Sequence, residues 1–381
     1  MGQHNGSTRS LAERRSSEDR GRSRRVWVIG AIAIPVLLAG AIPSPYVIER
    51  PGPVVDTLGD VTIDDAVEPV VSFPDAQTYP TSGTLNLLTV QVLGSPDQRR
   101  SWLSLMPAVF DPSQRIAPLT DFFREGETSD DRDAQNTALM ASSQTTAAAA
   151  AFREVGADVG VVLSVAQVAD DSAADGVLEP GDRLVELDGD SITSFAMLRE
   201  RTIASGAGAP LRLGIERGGA SLDVELAPTI PEGGEEPLIG ATIATDFELP
   251  SEVDINLEDI GGPSAGMVFS LAMYDRLTPG GMLDGITVSG TGTMADTGEV
   301  GPIGGLEQKM WAASRAESDL FLMPLGNCAE VPARVPDGLR VAPVASLAEA
   351  IDAVEAAAAG EATVGMERCG AEVSARTQST T

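Results

Sequence analysis

Ser264 lies in a glycine-rich stretch, Gly261-Gly-Pro-Ser-Ala-Gly266, that precedes a run predicted to be helical to about Leu277. Pro263 suits the first turn of a helix, because its missing N–H would be unpaired there anyway. The serine is therefore predicted at a helix N-terminus, where free N–H groups and the helix dipole favour negative charge. An oxyanion hole could form here, with the backbone N–H groups near Gly262 and Ser264 as its donors.

Lys309 is the only lysine of the chain and the candidate general base for that serine. A helix is predicted to follow Gly301-Pro-Ile-Gly-Gly305, and Lys309 falls on its apolar face with Leu306 and Met310. Burial there would lower the lysine pKa from ~10.4 toward the ~7–8 that suits a base at neutral pH. A structural alternative stays open, with Ser264 as a helix cap and the lysine ammonium extended to solvent.

The composition excludes several other chemistries. His4 is the only histidine, so Ser-His-Asp catalysis, Cys-His catalysis and a zinc site with several histidines lack their residues. The same absence makes the Gly-x-Ser-x-Gly match of the α/β-hydrolases accidental. Lys309 stands in Gln-Lys-Met, which rules out a Walker-A loop and ATP binding through one. The net charge of −30 argues against nucleic acid as a partner. We predict no metal and no cofactor.

Three strings resemble the proteolytic domain of the Lon family in order and spacing: Gly-Gly-Pro-Ser264-Ala-Gly, Thr291-Gly-Thr and Gly-Pro-Ile-Gly-Gly-Leu-Glu-Gln-Lys309. The resemblance is close over 238–352 and looser over 83–93 and 133–155. It implies that Ser264 and Lys309 form a catalytic dyad and that Thr291 lies near the lysine. The acidic residue that this family usually has before Gly-Pro-Ser is replaced by Gly261.

Residues 156–228 resemble a PDZ domain of the bacterial protease type, through the string Leu178-Glu-Pro-Gly-Asp-Arg-Leu-Val-Glu-Leu-Asp-Gly189. The resemblance implies that an extended peptide, such as a protein C-terminus, adds to a sheet edge beside a helix. The predicted binding residues are Gly160, Val161, Val162 and Leu163. A hairpin module without a ligand is the alternative.

Residues 26–48 carry no charge and would span about 34 Å as a helix, against a hydrocarbon core of ~30 Å. Arg22, Arg24 and Arg25 precede this stretch, so the positive-inside rule predicts a cytoplasmic N-terminus and an extracytoplasmic body. The alternative is a cleaved signal peptide, because Ala39-Gly40-Ala41 resembles a cleavage site.

Cys328 and Cys369 are the two cysteines of the chain. In an extracytoplasmic compartment they can form one disulfide that ties the C-terminal tail to the preceding domain. Two unpaired thiols are the alternative.

The predicted fold class is α+β, with a Lon-type proteolytic domain that contains an inserted PDZ-like, β-rich domain and follows one transmembrane helix. This combination is similar to the YlbL-like group of bacterial membrane proteases. The predicted segments are a cytoplasmic tail (1–25), a transmembrane helix (26–48), a linker with short strands (49–82), the N-terminal part of the proteolytic domain (83–155), the PDZ-like domain (156–228), the Lon-type domain (229–358) and a C-terminal tail (359–381).

The predicted function is that of a membrane-anchored, ATP-independent serine endopeptidase. Its substrates would be unfolded or extended proteins outside the cytoplasm or at the membrane, and the Lon resemblance makes a homo-oligomer possible. Two rivals remain: a non-catalytic membrane scaffold whose PDZ-like domain recruits partners, and an enzyme that processes only its own chain.

Overall fold

The computed structural model describes residues 40–63, 66–231, 233–257, 260–332, 335–363 and 365–370. These residues form two compact units. The smaller comprises the described residues up to Pro51 together with Val90–Asp133, and the larger comprises Gly52–Thr89 and the described residues from Ala134 onward.

The strands within the described residues are β1 (Tyr46–Asp56), β2 (Asp60–Ile63), β3 (Ala66–Pro69), β4 (Val71–Ser72), β5 (Thr84–Leu93), β6 (Arg115–Pro118), β7 (Gly160–Val168), β8 (Arg183–Leu187), β9 (Asp190–Ser191), β10 (Leu211–Arg217), β11 (Ala220–Leu226), β12 (Ala241–Glu248), β13 (Asp254–Ile255), β14 (Thr287–Gly290), β15 (Thr293–Met294), β16 (Val300–Gly301), β17 (Leu320–Pro324) and β18 (Val341–Val344). The α-helices there are α1 (Trp102–Leu105), α2 (Ser129–Glu154), α3 (Phe195–Ser205), α4 (Gly266–Leu277), α5 (Leu306–Arg315) and α6 (Leu347–Ala358). Short 3₁₀ turns cover Met106–Phe110, Leu119–Asp121, Pro263–Ala265 and Leu325–Glu330.

The smaller unit holds a strand pair and a small apolar core. The first residues of β1 pair antiparallel with β6. Ile48 on β1 is buried together with Leu105 and Ala108, which come from α1 and the 3₁₀ turn after it. The buried carboxylate of Glu49 accepts a hydrogen bond from Arg115 Nε at 2.7 Å, so its charge is paired.

The predicted transmembrane helix over 26–48 is wrong at its C-terminal end. Tyr46–Ile48 belong to β1. Pro43 and Pro45 interrupt a helix at this point, and β-branched residues such as those at 47 and 48 favour a strand. Residues 26–39 lie outside the described part of the chain. Among the described residues, no helix has the length and apolar character needed to cross a membrane.

The main sheet of the larger unit is parallel at its centre. Strand β14 lies between β5 and β17, and β18 flanks β17. Helices α2 and α4 pack in its core, where Ala147–Ala151 and Met267–Met273 are buried. The small alanines let the helices approach closely, so that Ser270 Oγ of α4 donates to the Ala147 carbonyl oxygen at 3.0 Å. Of the segments 83–93 and 133–155, which were predicted to belong with the C-terminal part, residues 83–89 and 134–155 lie in the larger unit, whereas residues 90–93 and 133 belong to the smaller one.

Residues 49–82 do more than link two domains, and the linker prediction is corrected. Val70, Val71 and Phe73 are buried in the same core. The Phe73 ring packs edge-on against Phe152 of α2, with 6.0 Å between ring centroids. The Pro- and Asp-rich composition indicated exposure, but a few apolar side chains suffice to dock the segment.

A second sheet, with its own core, is inserted between α2 and α4. Its strand order is β11-β10-β8-β7-β12, with β9 beside β8. Strand β12 pairs antiparallel with β7 along its whole length, from Ala241 opposite Val168 to Glu248 opposite Gly160. The module, here called the inserted module, therefore extends to residue 248 and not to 228. Strand β12 follows a loop at 227–240, and such a distant pairing leaves no local signal in the sequence.

The C-terminal residues also pack on the larger unit. Cys328 and Cys369 form a disulfide with 5.1 Å between their Cα atoms, which confirms the predicted pair. Arg368 makes two hydrogen bonds to the Glu349 carboxylate, at 2.7 and 2.9 Å, and thereby lowers the pKa of that carboxyl below its usual range. The predicted tail 359–381 is thus attached at least to residue 369, and residues 371–381 lie outside the described part.

Asp182, the acid of the Pro-Gly-Asp string, holds the inserted module together. Its side chain is about 1% exposed and accepts hydrogen bonds from Arg217 Nε at 2.7 Å and Nη2 at 2.6 Å. It also accepts the Glu179 N–H at 2.8 Å. The Arg217 guanidinium keeps the pKa of the Asp182 carboxyl below its usual value. This motif acid therefore has a structural role.

We expect Asp182→Asn to lower the free energy of unfolding by about 2 kcal/mol, the order for a hydrogen bond to a charged group. Because the folded-state pKa is lowered, the contribution is present above the unfolded value of ~3.9 and is lost as the pH falls through the folded value. Urea unfolding at neutral and acid pH measures this.

The matched control is Asp190→Asn, which breaks an exposed ion pair with Arg201 in the same module. It should change stability by less than about 0.5 kcal/mol. Equal losses for the two variants, or a loss at Asp182 that does not shrink in acid, would contradict the assignment.

Candidate active site

Ser264 lies in the 3₁₀ turn that leads directly into α4. Gly262 begins this turn with φ of 92°, a conformation that favours glycine. The carbonyl oxygen of Ser264 accepts hydrogen bonds from the Gly292 N–H at 3.0 Å and from Thr291 Oγ1 at 3.1 Å. The loop after β14 therefore holds the backbone of the turn and leaves the serine side chain to other partners.

Lys309 lies in the first turns of α5, which begins after Gly305 in the left-handed conformation. The lysine is only 2% exposed, as predicted from its apolar helix face. Its Nζ donates hydrogen bonds to Ser264 Oγ and to Thr291 Oγ1, each at 2.9 Å. The side chains of Ser264 and Thr291 thus meet at the buried nitrogen of Lys309, although the three residues are far apart in sequence.

Thr291 stands between Lys309 and the serine backbone. It is fully buried, and its N–H donates to the Leu322 carbonyl oxygen at 3.2 Å, which fixes it to the sheet. Its hydroxyl accepts from Lys309 and donates to the Ser264 carbonyl oxygen. The sequence-predicted position of Thr291 near the lysine is therefore observed.

The predicted oxyanion donor Gly262 needs correction. Its N–H is bonded to the Asn136 carbonyl oxygen at 3.0 Å. The prediction took every N–H before the helix as free, but α2 passes beside the loop and occupies this one. The N–H groups of Ser264 and Ala265 belong to the first turn, whose N–H groups have no partner within the helix, and they are the better candidates.

Helix α2 supplies two supports that the prediction missed. Asn136 packs against the loop, and Ser143 Oγ donates to the Pro263 carbonyl oxygen at 3.1 Å. They are seven residues apart and share a helix face. Two polar residues at this spacing in an Ala-rich helix are the sequence signal that could have predicted these supports. Asn136 also explains Gly261: an added Cβ there would lie 2.8 Å from Asn136 Cβ.

The four residues predicted to bind a peptide do not form an open edge. Gly160, Val161, Val162 and Leu163 lie opposite Glu248, Phe247, Asp246 and Thr245 of β12. The terminal strand of the sheet is β12, and it flanks a cleft of about 1140 Å³. The other walls are residues of α3, of α2 and of the loop 295–299.

Arg153 connects three of these walls. Its Nη1 donates to the Asp296 carbonyl oxygen at 2.7 Å and to Asp296 Oδ2 at 2.6 Å. The guanidinium also lies 5.7 Å from the centre of the Phe247 ring on β12. The loop at Asp296 follows Thr291 by a few residues, so one side chain joins α2, the cleft and the segment that holds Ser264.

Comparison with known proteins identifies the segment that carries Ser264 and Lys309. Residues 258–357 match the Lon protease (S16) C-terminal proteolytic domain. Lon protease 1 of Herpetosiphon aurantiacus is 31% identical over 134 residues, which are 34% of this chain and 16% of that protein. The Lon protease of Frankia alni is 40% identical over 94 residues, 24% of this chain and 10% of that protein. The chain therefore matches only a small part of the length of these relatives.

Part of the chain is also similar to solved PDZ structures. The PDZ domain of the SdrC-like protein of Listeria monocytogenes is 27% identical, with 22% of this chain and 87% of that one covered and a TM-score of 0.21. The second domain of a Listeria protein is 25% identical, with 22% and 83% covered and a TM-score of 0.20.

The segment that carries Ser264 and Lys309 is thus similar to the proteolytic domain of Lon proteases. The matched residues all follow the inserted module, whose last strand ends at Glu248.

We expect Gly261→Ala to lower the free energy of unfolding by about 1–3 kcal/mol, the usual cost of overpacking, because the new Cβ meets Asn136. Chemical denaturation of the full chain measures this. The control is Gly304→Ala, where an added Cβ has nothing within 4 Å.

A double variant tests the cause. Asn136→Gly removes the opposing Cβ, so Gly261→Ala should cost much less in its presence than alone. If the losses in free energy of unfolding of the two single variants simply add in the double variant, contact with Asn136 is not the reason for the glycine at 261.

Proposed function

We propose that this chain is an ATP-independent serine endopeptidase in which Ser264 is the nucleophile and Lys309 the general base. The observation that carries the proposal is the 2.9 Å hydrogen bond between Lys309 Nζ and Ser264 Oγ, made by a lysine removed from water. A lysine that only stabilised the fold would more commonly extend its nitrogen to solvent.

In the proposed reaction, neutral Lys309 takes the proton of Ser264 as Oγ attacks the peptide carbonyl. Burial favours the neutral amine that this step requires. The N–H groups at the start of the turn stabilise the oxyanion. The lysine then returns the proton to the leaving amine, which leaves the acyl group as an ester on Ser264 Oγ. Water attacks this ester while Lys309 takes its proton, and the proton passes to Oγ as the carboxylic acid leaves. Thr291 is a positioning residue, because it orients the lysine and also holds the Ser264 backbone.

Substrates would reach the site as unfolded or extended chains, since no Walker-A loop is present in the sequence to drive unfolding. We further propose that the body lies outside the cytoplasm and is attached to the membrane by the uncharged N-terminal stretch. The charge pattern of residues 1–48 supports this location, and so does the disulfide, which persists in oxidising compartments.

The inserted module would bind peptides in the cleft beside β12. An extended peptide could add to the free edge of β12 and rest its side chains on α3, where Phe195 is 45% exposed. Through Arg153 and Asp296, an occupied cleft would also contact the segment that leads back to Thr291. The module would then both select peptides and influence the active site.

We expect Ser264→Ala and Lys309→Arg each to lower peptide cleavage by roughly 10³-fold or more, because arginine keeps the charge but does not act as a base. The full chain in detergent is incubated with a mixture of unfolded peptides, and products are read by mass spectrometry. The control is Ser270→Ala, which removes a buried serine from α4, the helix that follows the Ser264 turn; the Ser270 hydroxyl donates to the Ala147 and Gly266 carbonyl oxygens and not to the site residues.

Identical product profiles for wild type and Ser264→Ala would sink the proposal and favour a scaffold. A single cut within the chain itself, with no cleavage of added peptides, would instead support an enzyme that only processes itself.

We expect Phe195→Ser to weaken peptide binding by about 10–100-fold, the loss of one buried aromatic contact. The Ser264→Ala chain is used so that bound peptides stay intact, and retained peptides are quantified by mass spectrometry. Leu222→Ser is the control, because Leu222 is similarly exposed on β11 and does not line the cleft. Unchanged retention by Phe195→Ser would move the binding site elsewhere.

A further inference from the structure

Residues 101–110 form an uncharged stretch, Ser-Trp-Leu-Ser-Leu-Met-Pro-Ala-Val-Phe, in the smaller unit. They fold as α1 and the 3₁₀ turn that follows it. Five large apolar side chains of this stretch are between 46 and 79% exposed. We call them the apolar ridge: Trp102, Leu103, Met106, Val109 and Phe110. Concentrated exposure of this kind marks an interaction surface.

The apolar ridge is a built surface and not an incomplete core. Leu105 and Ala108 of the same stretch turn inward and pack with Ile48, so the segment is already anchored. On the outer side, Trp102, Met106 and Val109 line one shallow cavity of about 270 Å³. The ring of Trp102 is also fixed edge-on against Tyr46, with 5.5 Å between centroids.

The N-terminal chain enters the folded body at this ridge. The Trp102 N–H donates to the Ile42 carbonyl oxygen at 3.2 Å. Gly40 lies beside Leu103, since an added Cβ would be 3.3 Å from Leu103 Cδ1. Ile42 is itself 57% exposed. The residues before Gly40, from 26 to 39, contain no charge. An uncharged N-terminal stretch therefore leads directly to the exposed apolar side chains.

We propose that the apolar ridge inserts into the interfacial layer of a lipid bilayer, next to the point where the N-terminal stretch meets the membrane. Tryptophan at a headgroup boundary, with leucine, methionine and phenylalanine directed to the acyl chains, is the composition of an interfacial segment. Arg99 and Arg100 are exposed immediately before the ridge and carry the charge that lipid phosphates attract. The membrane thus contacts the folded body at two places, and the smaller unit has a fixed orientation on it.

The test places one label on the ridge of the full chain. Because Cys328 and Cys369 are joined to each other, Phe110→Cys supplies a single reactive thiol for a bimane fluorophore. The control is Val67→Cys, an equally apolar position that is 70% exposed on β3. Both proteins are reconstituted in vesicles of phosphatidylcholine and phosphatidylglycerol, and the emission is challenged with aqueous iodide and with a nitroxide on the lipid headgroup.

We expect the label at 110 to shift its emission to the blue, to lose most of its fluorescence to the lipid nitroxide and to resist iodide. The label at 67 should respond to iodide alone. If the label at 110 behaves like that at 67, the ridge is in water and the proposal fails. Protection from both quenchers would indicate that the ridge is covered by protein, such as a second copy of the chain, and would also overturn the proposal. Val109→Cys repeats the test if Phe110→Cys does not fold.

Discussion

The hydrogen bonds of the buried Lys309 nitrogen are the constraint around which the larger unit is arranged. Nζ is held at 2.9 Å from both the Ser264 hydroxyl and the Thr291 hydroxyl. Burying an amine without polar partners is costly, so these two hydroxyls must be delivered accurately. Ser264 comes from the turn before α4, Thr291 from the end of β14 and the lysine from α5. Apolar residues of α4 and of α5 pack against strands of the parallel sheet, and this packing fixes those three positions.

The proposed chemistry depends on how rigidly that arrangement is supported. The turn with Ser264 is held on one side by Thr291 and Gly292, and on the other by Asn136 and Ser143 of α2. Each support is a hydrogen bond to or from the backbone, so it fixes the main chain and leaves the serine hydroxyl to the lysine. Glycine at 261 belongs to the same arrangement, because it lets α2 approach the loop.

Local sequence signals were enough to find the candidate reacting groups but not all their surroundings. Ser264, Lys309 and Thr291 stand in strings whose glycines, proline and apolar spacing report directly on a helix start and a buried face. The disulfide followed from having two cysteines and a predicted compartment. The bonding of Gly262 to Asn136 joins residues more than a hundred positions apart, and nothing near either one reports it. The pairing of β12 with β7 was missed for the same reason, and with it the true edge of the inserted module. Because an apolar run looks alike in a membrane span and in a buried strand, the sequence predicts a helix at Tyr46–Ile48, where the structure has a strand.

The register of β12 against β7 brings the beginning and the end of the inserted module together. Gly160 and Glu248, the first and last residues of the module's sheet, lie directly opposite each other. A module whose entry and exit are adjacent can be spliced into a surface loop without separating the segments on either side. To the host domain it is equivalent to a tight connection between α2 and α4. Residues 156–228 alone would lack β12 and leave one edge of β7 unpaired, so a transplant of this module to another protein has to include the strand that ends at Glu248.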